Sequence, residues 1–134
     1  MSTDKQAIAT ELFNGMWNQH DMNVVDRLVA LDTINHGPFS EQFQGAAGAK
    51  GFATMILTAF PNLRSSIDHQ EADGEWVKTY WTAHATHTGP LMGFAPTGKH
   101  AEIVGVTTDR IINGKVVESW TAWDPNELRR QLGV

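Results

Sequence analysis

The apolar positions of this chain change their period once. Up to Phe60 they recur every three or four residues, and from Leu63 onward they alternate. Ile8, Leu12, Phe13, Met16 and Trp17 make one stripe of an amphipathic helix. Asp21 is placed to cap a second helix, with Val25, Leu28 and Val29 facing inward. Phe52, Met55, Ile56, Ala59 and Phe60 mark a third, whose start is weakened by glycines at 45, 48 and 51 and which Pro61 closes.

The alternating part begins with LRSSIDHQEA and reaches a hairpin signal at Asp73-Gly74. The long run EWVKTYWTAHATHTG follows. After a Gly- and Pro-rich loop comes HAEIVGVTTDRII, then a second hairpin signal at Asn113-Gly114, then KVVESWTAWD. Three or four long antiparallel strands behind helices imply an α+β architecture. A sheet curled around a helix leaves a hollow between the layers, where small ligands tend to bind. The terminal DPNELRRQLG carries a further helix signature, with Asp124 as cap, Pro125 first, Glu127 three residues on, and Gly133 at the end.

Alternation also assigns faces. On the second strand, Val77, Thr79, Trp81, Ala83, Ala85 and His87 share the more apolar face, which places His87 inward and His84 outward. On the last strand, Val116, Glu118, Trp120, Ala122 and Asp124 oppose Ser119, Thr121 and Trp123, and each face holds one tryptophan. Neutral imidazole offers one donor and one acceptor, so His87 suits either a loop carbonyl or a substrate carbonyl. His36, in TINHGP, falls where a helix hands over to irregular chain, and reads as a turn residue or a second polar group at the hollow. His84 and His100 read as surface residues, and His20 as part of an interhelical turn.

Composition removes several classes of function. The chain has 134 residues, read as a single domain spanning 1–134, and no cysteine, which excludes thiol chemistry and disulfides. A formal net charge of −5 without like-charged blocks argues against nucleic acid and anionic membranes as partners. MSTDKQAIATELF lacks the basic and apolar regions of a signal peptide, and no run is long enough to span a bilayer, so a cytoplasmic protein is expected. His84 and His87 point to opposite faces of a strand, and no helical HxxxH occurs, so no metal site is expected. GAAGAKG does not match a phosphate-binding loop, and no serine sits in a G-x-S-x-G elbow.

Asp124 carries two readings. As a cap it accepts backbone N–H bonds, which lower a carboxyl pKa. As the end of a strand containing Trp120 it points into an apolar hollow, where desolvation raises the pKa into a range useful for proton transfer.

INHGP, AFPNLRSSIDH, THTGPLMGFAPTGK, DRIINGKVVESWTAWD and the final QLG together resemble the SnoaL-like polyketide cyclase (ester cyclase) family, in the family's order from about residue 34 onward. The resemblance implies the fold of the nuclear transport factor 2 superfamily: a cone-shaped α+β barrel, its strongly curved, mainly antiparallel sheet wrapped around N-terminal helices and enclosing an apolar pocket. It implies ring closure in a polyketide ester by intramolecular aldol condensation, with no metal or organic cofactor. It places the acid–base role on Asp124, after Trp120, and pocket positions on His87 and His36.

On this reading Asp124 moves the proton, while His36, His87 or Asn35 donates to the enolate. Trp81, Trp120, Met92, Phe94 and Phe60 would fold a carbonyl-rich small molecule into its reactive shape. Because one fold hosts many activities, two alternatives stand beside it: a non-catalytic small-ligand binding protein, and an isomerase- or hydrolase-like proton-transfer enzyme. A sheet face carrying Trp76, Tyr80 and Ile112 is apolar enough to pair with a copy of itself, so a homodimer or higher homo-oligomer is expected.

Overall fold

A computed structural model describes residues 4–134. Helices α1 (Lys5–Trp17) and α2 (Asn23–Leu28) lead into strand β1 (Val29–His36). After a short 3-10 turn come α3 (Gly45–Ala59), β2 (Arg64–Asp73), β3 (Trp76–Thr86), β4 (His100–Ile112), β5 (Lys115–Trp123) and α4 (Pro125–Leu132). The five strands form one sheet in the order β1-β5-β4-β3-β2, antiparallel except where β1 runs parallel to β5. The sheet is curled but not closed, with α1, α2 and α3 against its concave face.

Capping and turn chemistry explain most boundaries. Asp4 accepts from the amides of Gln6 and Ala7 to start α1. The β4–β5 turn falls on Asn113 and Gly114, whose φ angles of 53° and 77° suit the type I′ hairpin that follows strand twist. The β2–β3 turn lies one residue later than the sequence signal, on Gly74-Glu75, since Asp73 still pairs with Trp76.

Two expectations need correction. The second helix does not include Val29, and His36 does not follow a helix: β1 intervenes, and TINH is its end. VALDTINH lacks simple alternation because its register shifts between Val29 and Ile34. The glycines of α3 also do not delay it, since the helix begins at Gly45. A Cβ on Gly48 would stand 2.2 Å from the Phe43 carbonyl carbon, so the small residue is what lets the helix start press against the preceding segment.

The main core gathers Ile8, Leu12, Met16, Val24, Val25, Val77, Ile111 and Val116. Burying each such side chain contributes roughly 1.5–3 kcal/mol of transfer free energy. A second cluster, with Phe60, Leu63, Ala85, Leu128 and Leu132, fixes α4 over the other end of the sheet. Trp17 packs against both clusters, and a cavity lies between the helices and the sheet.

Candidate active site

The gap between helices and sheet is a partly open cavity of about 190 Å³. An apolar void on the order of 150 Å³ already accepts benzene. Phe13, Trp17, Phe52 and Phe60 line it from the helices, and Trp81 and Trp123 from the sheet. Trp81 crosses the inner face over Gly105, its partner on β4, where a Cβ would lie 2.3 Å from the indole.

The polar groups of the cavity come chiefly from the sheet. Thr107 and Asp109 on β4 pair in register with Thr121 and Ser119 on β5, so four polar side chains form one cluster. Trp81 Nε1 donates to Thr107 Oγ1 at 3.0 Å, and the Thr107 and Thr121 hydroxyls lie 3.5 Å apart. Asp109 is the one carboxylic acid among the described lining residues, and it is only 6 % exposed. Burial pushes its pKa from the usual 3.8 up to about 6, against a smaller lowering by the Ser119 hydrogen bond. Near neutral pH such a group takes up and releases a proton readily.

The sequence reading had not singled out Asp109. The signal was present: Ala101, Ile103, Gly105, Thr107, Asp109 and Ile111 alternate along β4, so Asp109 falls in line with inward positions.

The anticipated site residues divide into three groups. Trp81, Phe60, Asn35 and His36 border the main cavity. Asn35, however, spends its amide on the carbonyls of Phe43 at 2.8 Å and Gly45 at 3.3 Å, which anchors the start of α3. The His36 imidazole stacks on Trp120 with ring centres 4.6 Å apart and bonds Glu118 at 2.8 Å, and neither partner borders the cavity.

His87, Met92 and Phe94 line a second, smaller chamber behind Trp123. Trp120 and Asp124 line neither. The bulge opposite Arg110 and Ile111 shifts the phase of β5, so Ser119, Thr121 and Trp123 turn inward and Trp120 turns out. Asp124 is exposed and caps α4, its Oδ1 accepting from Asn126 N at 2.9 Å and Glu127 N at 3.4 Å. The cap reading of Asp124 is therefore the one its geometry matches, and the inward reading fails because β5 ends at Trp123.

Among the described residues no cluster of three His, Cys, Asp or Glu side chains could hold a metal ion. No helix among them is long and apolar enough to cross a membrane.

Comparison with known proteins places this geometry. A family model for SnoaL-like polyketide cyclases matches residues 7–132. Nogalonic acid methyl ester cyclase of Streptomyces nogalater is 29 % identical over 113 residues, covering 81 % of this chain and 83 % of the relative. The crystal structure of AclR from Streptomyces galilaeus, suggested to be a hydroxylase, is 27 % identical with a TM-score of 0.83, over 96 % of this chain and 94 % of AclR. That of IdmH from Streptomyces antibioticus, suggested to be a polyketide cyclase, is 25 % identical with a TM-score of 0.86, over 98 % of this chain and all of IdmH, 100 %.

Proposed function

Because the chain belongs to the SnoaL-like polyketide cyclase family, we propose that it closes a ring in a carbonyl-rich polyketide ester, with Asp109 as the group that moves the proton. The observation that carries this reading is the one carboxyl among the described lining residues, buried, its pKa raised to about 6, beside three hydroxyls in a cavity walled chiefly by apolar and aromatic side chains.

The chemistry balances within the site. The Asp109 carboxylate takes a proton from a carbon flanked by two carbonyls, leaving an enolate. The enolate carbon forms a bond to a second carbonyl carbon, whose oxygen becomes an alkoxide. Asp109 returns its proton to that alkoxide, so the acid ends as it began and no electron acceptor is consumed. Thr121 takes the donor role first expected of the histidines, since its hydroxyl belongs to the cluster beside Asp109, while Ser119 donates to the Asp109 carboxyl itself. Trp81 and the facing phenylalanines confine the flexible chain, and proximity of this kind replaces part of the entropy cost of ring closure. His36 holds β1 to β5 through Glu118 and acts on the site only by position.

Incubation with nogalonic acid methyl ester, the compound in the name of the Streptomyces nogalater relative, tests the reading. Ring-closed product formed faster than in buffer supports it; saturable binding with no product above background replaces it with a ligand-binding role. A second copy of the chain on the outer sheet face is part of the same proposal, since Trp76, Val104 and Trp120 stand exposed there.

A further inference from the structure

The small chamber behind Trp123 has a volume of about 50 Å³. Trp123 and Leu128 line both cavities and form the partition between them. Leu91, Leu128 and Leu132 make its wall apolar, and Arg129 stands exposed at the rim with its guanidinium 5.7 Å over Phe94.

His87 contributes the chamber's buried polar group and is 0 % exposed. Its Nδ1 accepts from Thr97 N at 3.2 Å and stands 3.1 Å from Thr97 Oγ1. A ring nitrogen that accepts a backbone N–H carries no proton, so the imidazole proton sits on Nε2. That Nε2 is buried and finds no hydrogen-bond partner among the described residues. Buried donors are seldom left unpaired, and one that is left so calls for an explanation.

The backbone adds an independent sign. Phe39 and Met92 adopt φ angles of 66° and 47°, unusual for residues with side chains, and both line this chamber. Strain of this kind collects where a ligand is clamped.

We infer that the chamber is a subsite for a short uncharged carbonyl group, such as a methyl ester or methyl ketone, whose oxygen accepts the His87 Nε2 proton. The inference extends the binding role of the main cavity, but it does not depend on turnover. A resident water does not suit the chamber, because a buried water needs several polar partners and the wall is leucine. A carboxylate does not suit the His87 end either, because there a charge stripped of water meets one neutral donor, while the Arg129 guanidinium stands at the exposed rim over Phe94. An ester or ketone asks for one hydrogen bond and buries its methyl groups.

The test follows the His87 Nε2 proton and the Leu91 and Leu132 methyls by NMR while methyl acetate, isopentane or acetate is added. Methyl acetate is expected to move the Nε2 proton saturably and to show transferred contacts to both leucines. It should bind roughly fivefold or more tightly than isopentane, the preference that one net hydrogen bond confers. Val134→Trp, at the exposed chamber rim, should weaken methyl acetate while leaving the Trp81 indole signal of the main cavity unmoved. Methyl anthraquinone-2-carboxylate identifies the source: displacement of methyl acetate supports an arm of the main-cavity ligand, and joint binding supports a separate small carbonyl compound. An Nε2 proton indifferent to methyl acetate, or one that answers acetate instead, overturns the subsite. These signals are distinct from ring closure, so the subsite and the cyclase reading fail separately.

Discussion

Asp109→Asn tests the site by two readouts that only a buried, cavity-facing acid would couple. The substitution keeps shape and hydrogen-bonding capacity but abolishes titration. Folding raises the Asp109 pKa from 3.8 to about 6. A carboxyl whose pKa rises on folding binds its proton more tightly in the native state, so the Asp109 contribution to stability is most favourable below about pH 4 and is lost as pH rises towards 6. At ~1.36 kcal/mol per pKa unit, the difference amounts to about 3 kcal/mol by neutral pH. Asn does not carry this cost. The variant should therefore melt up to about 10 °C above wild type at pH 8 and near wild type at pH 4. Turnover should fall by about 100-fold or more, the range expected when a general acid–base group is lost. Paired calorimetric scans and product assays check both. A stability gain independent of pH, or a loss at pH 8, refutes the burial argument; unchanged turnover refutes the catalytic one.

Asp124→Ala should cost about 1 kcal/mol of stability through loss of the α4 cap and leave turnover unchanged, as denaturant titration and a product assay will show. The dependence of kcat/KM on pH should rise through a midpoint near the Asp109 value of about 6 as the base form appears, and Asp109→Asn should lose that limb. Gly105→Ala should drive the Trp81 indole off its partner strand, costing roughly 1–3 kcal/mol and changing tryptophan fluorescence. Sedimentation at micromolar concentration should return a dimer, and Val104→Glu, on the outer face, should return a monomer.

Much of the architecture was legible because period and turn chemistry are local. The α1 stripe, the Asn113-Gly114 hairpin and the capping signature of α4 all lie where the pattern puts them. What failed was non-local. β1 is a strand because it pairs in parallel with β5, some eighty positions later, and a register shift hides its alternation. Trp120 and Trp123 could not be told apart from either face alone, because the bulge that decides between them depends on β4. The same bulge gives the inner face of β5 to Ser119 and Thr121. Strand and helix signals overlap on Asp124: its local pattern is that of a cap, and the acid–base role comes from the family resemblance. Asp109 was within reach, because alternation along β4 placed it inward beside Thr107.

The most direct measurement follows deuterium entering the acidic carbon of a cyclase substrate in heavy water. Exchange reports proton removal whether or not the ring then closes. Wild type and Asp124→Asn should exchange at the same rate, and Asp109→Asn should fall to the buffer rate. Exchange that survives in Asp109→Asn, or that disappears in Asp124→Asn, would contradict the assignment of the proton to the buried acid of β4.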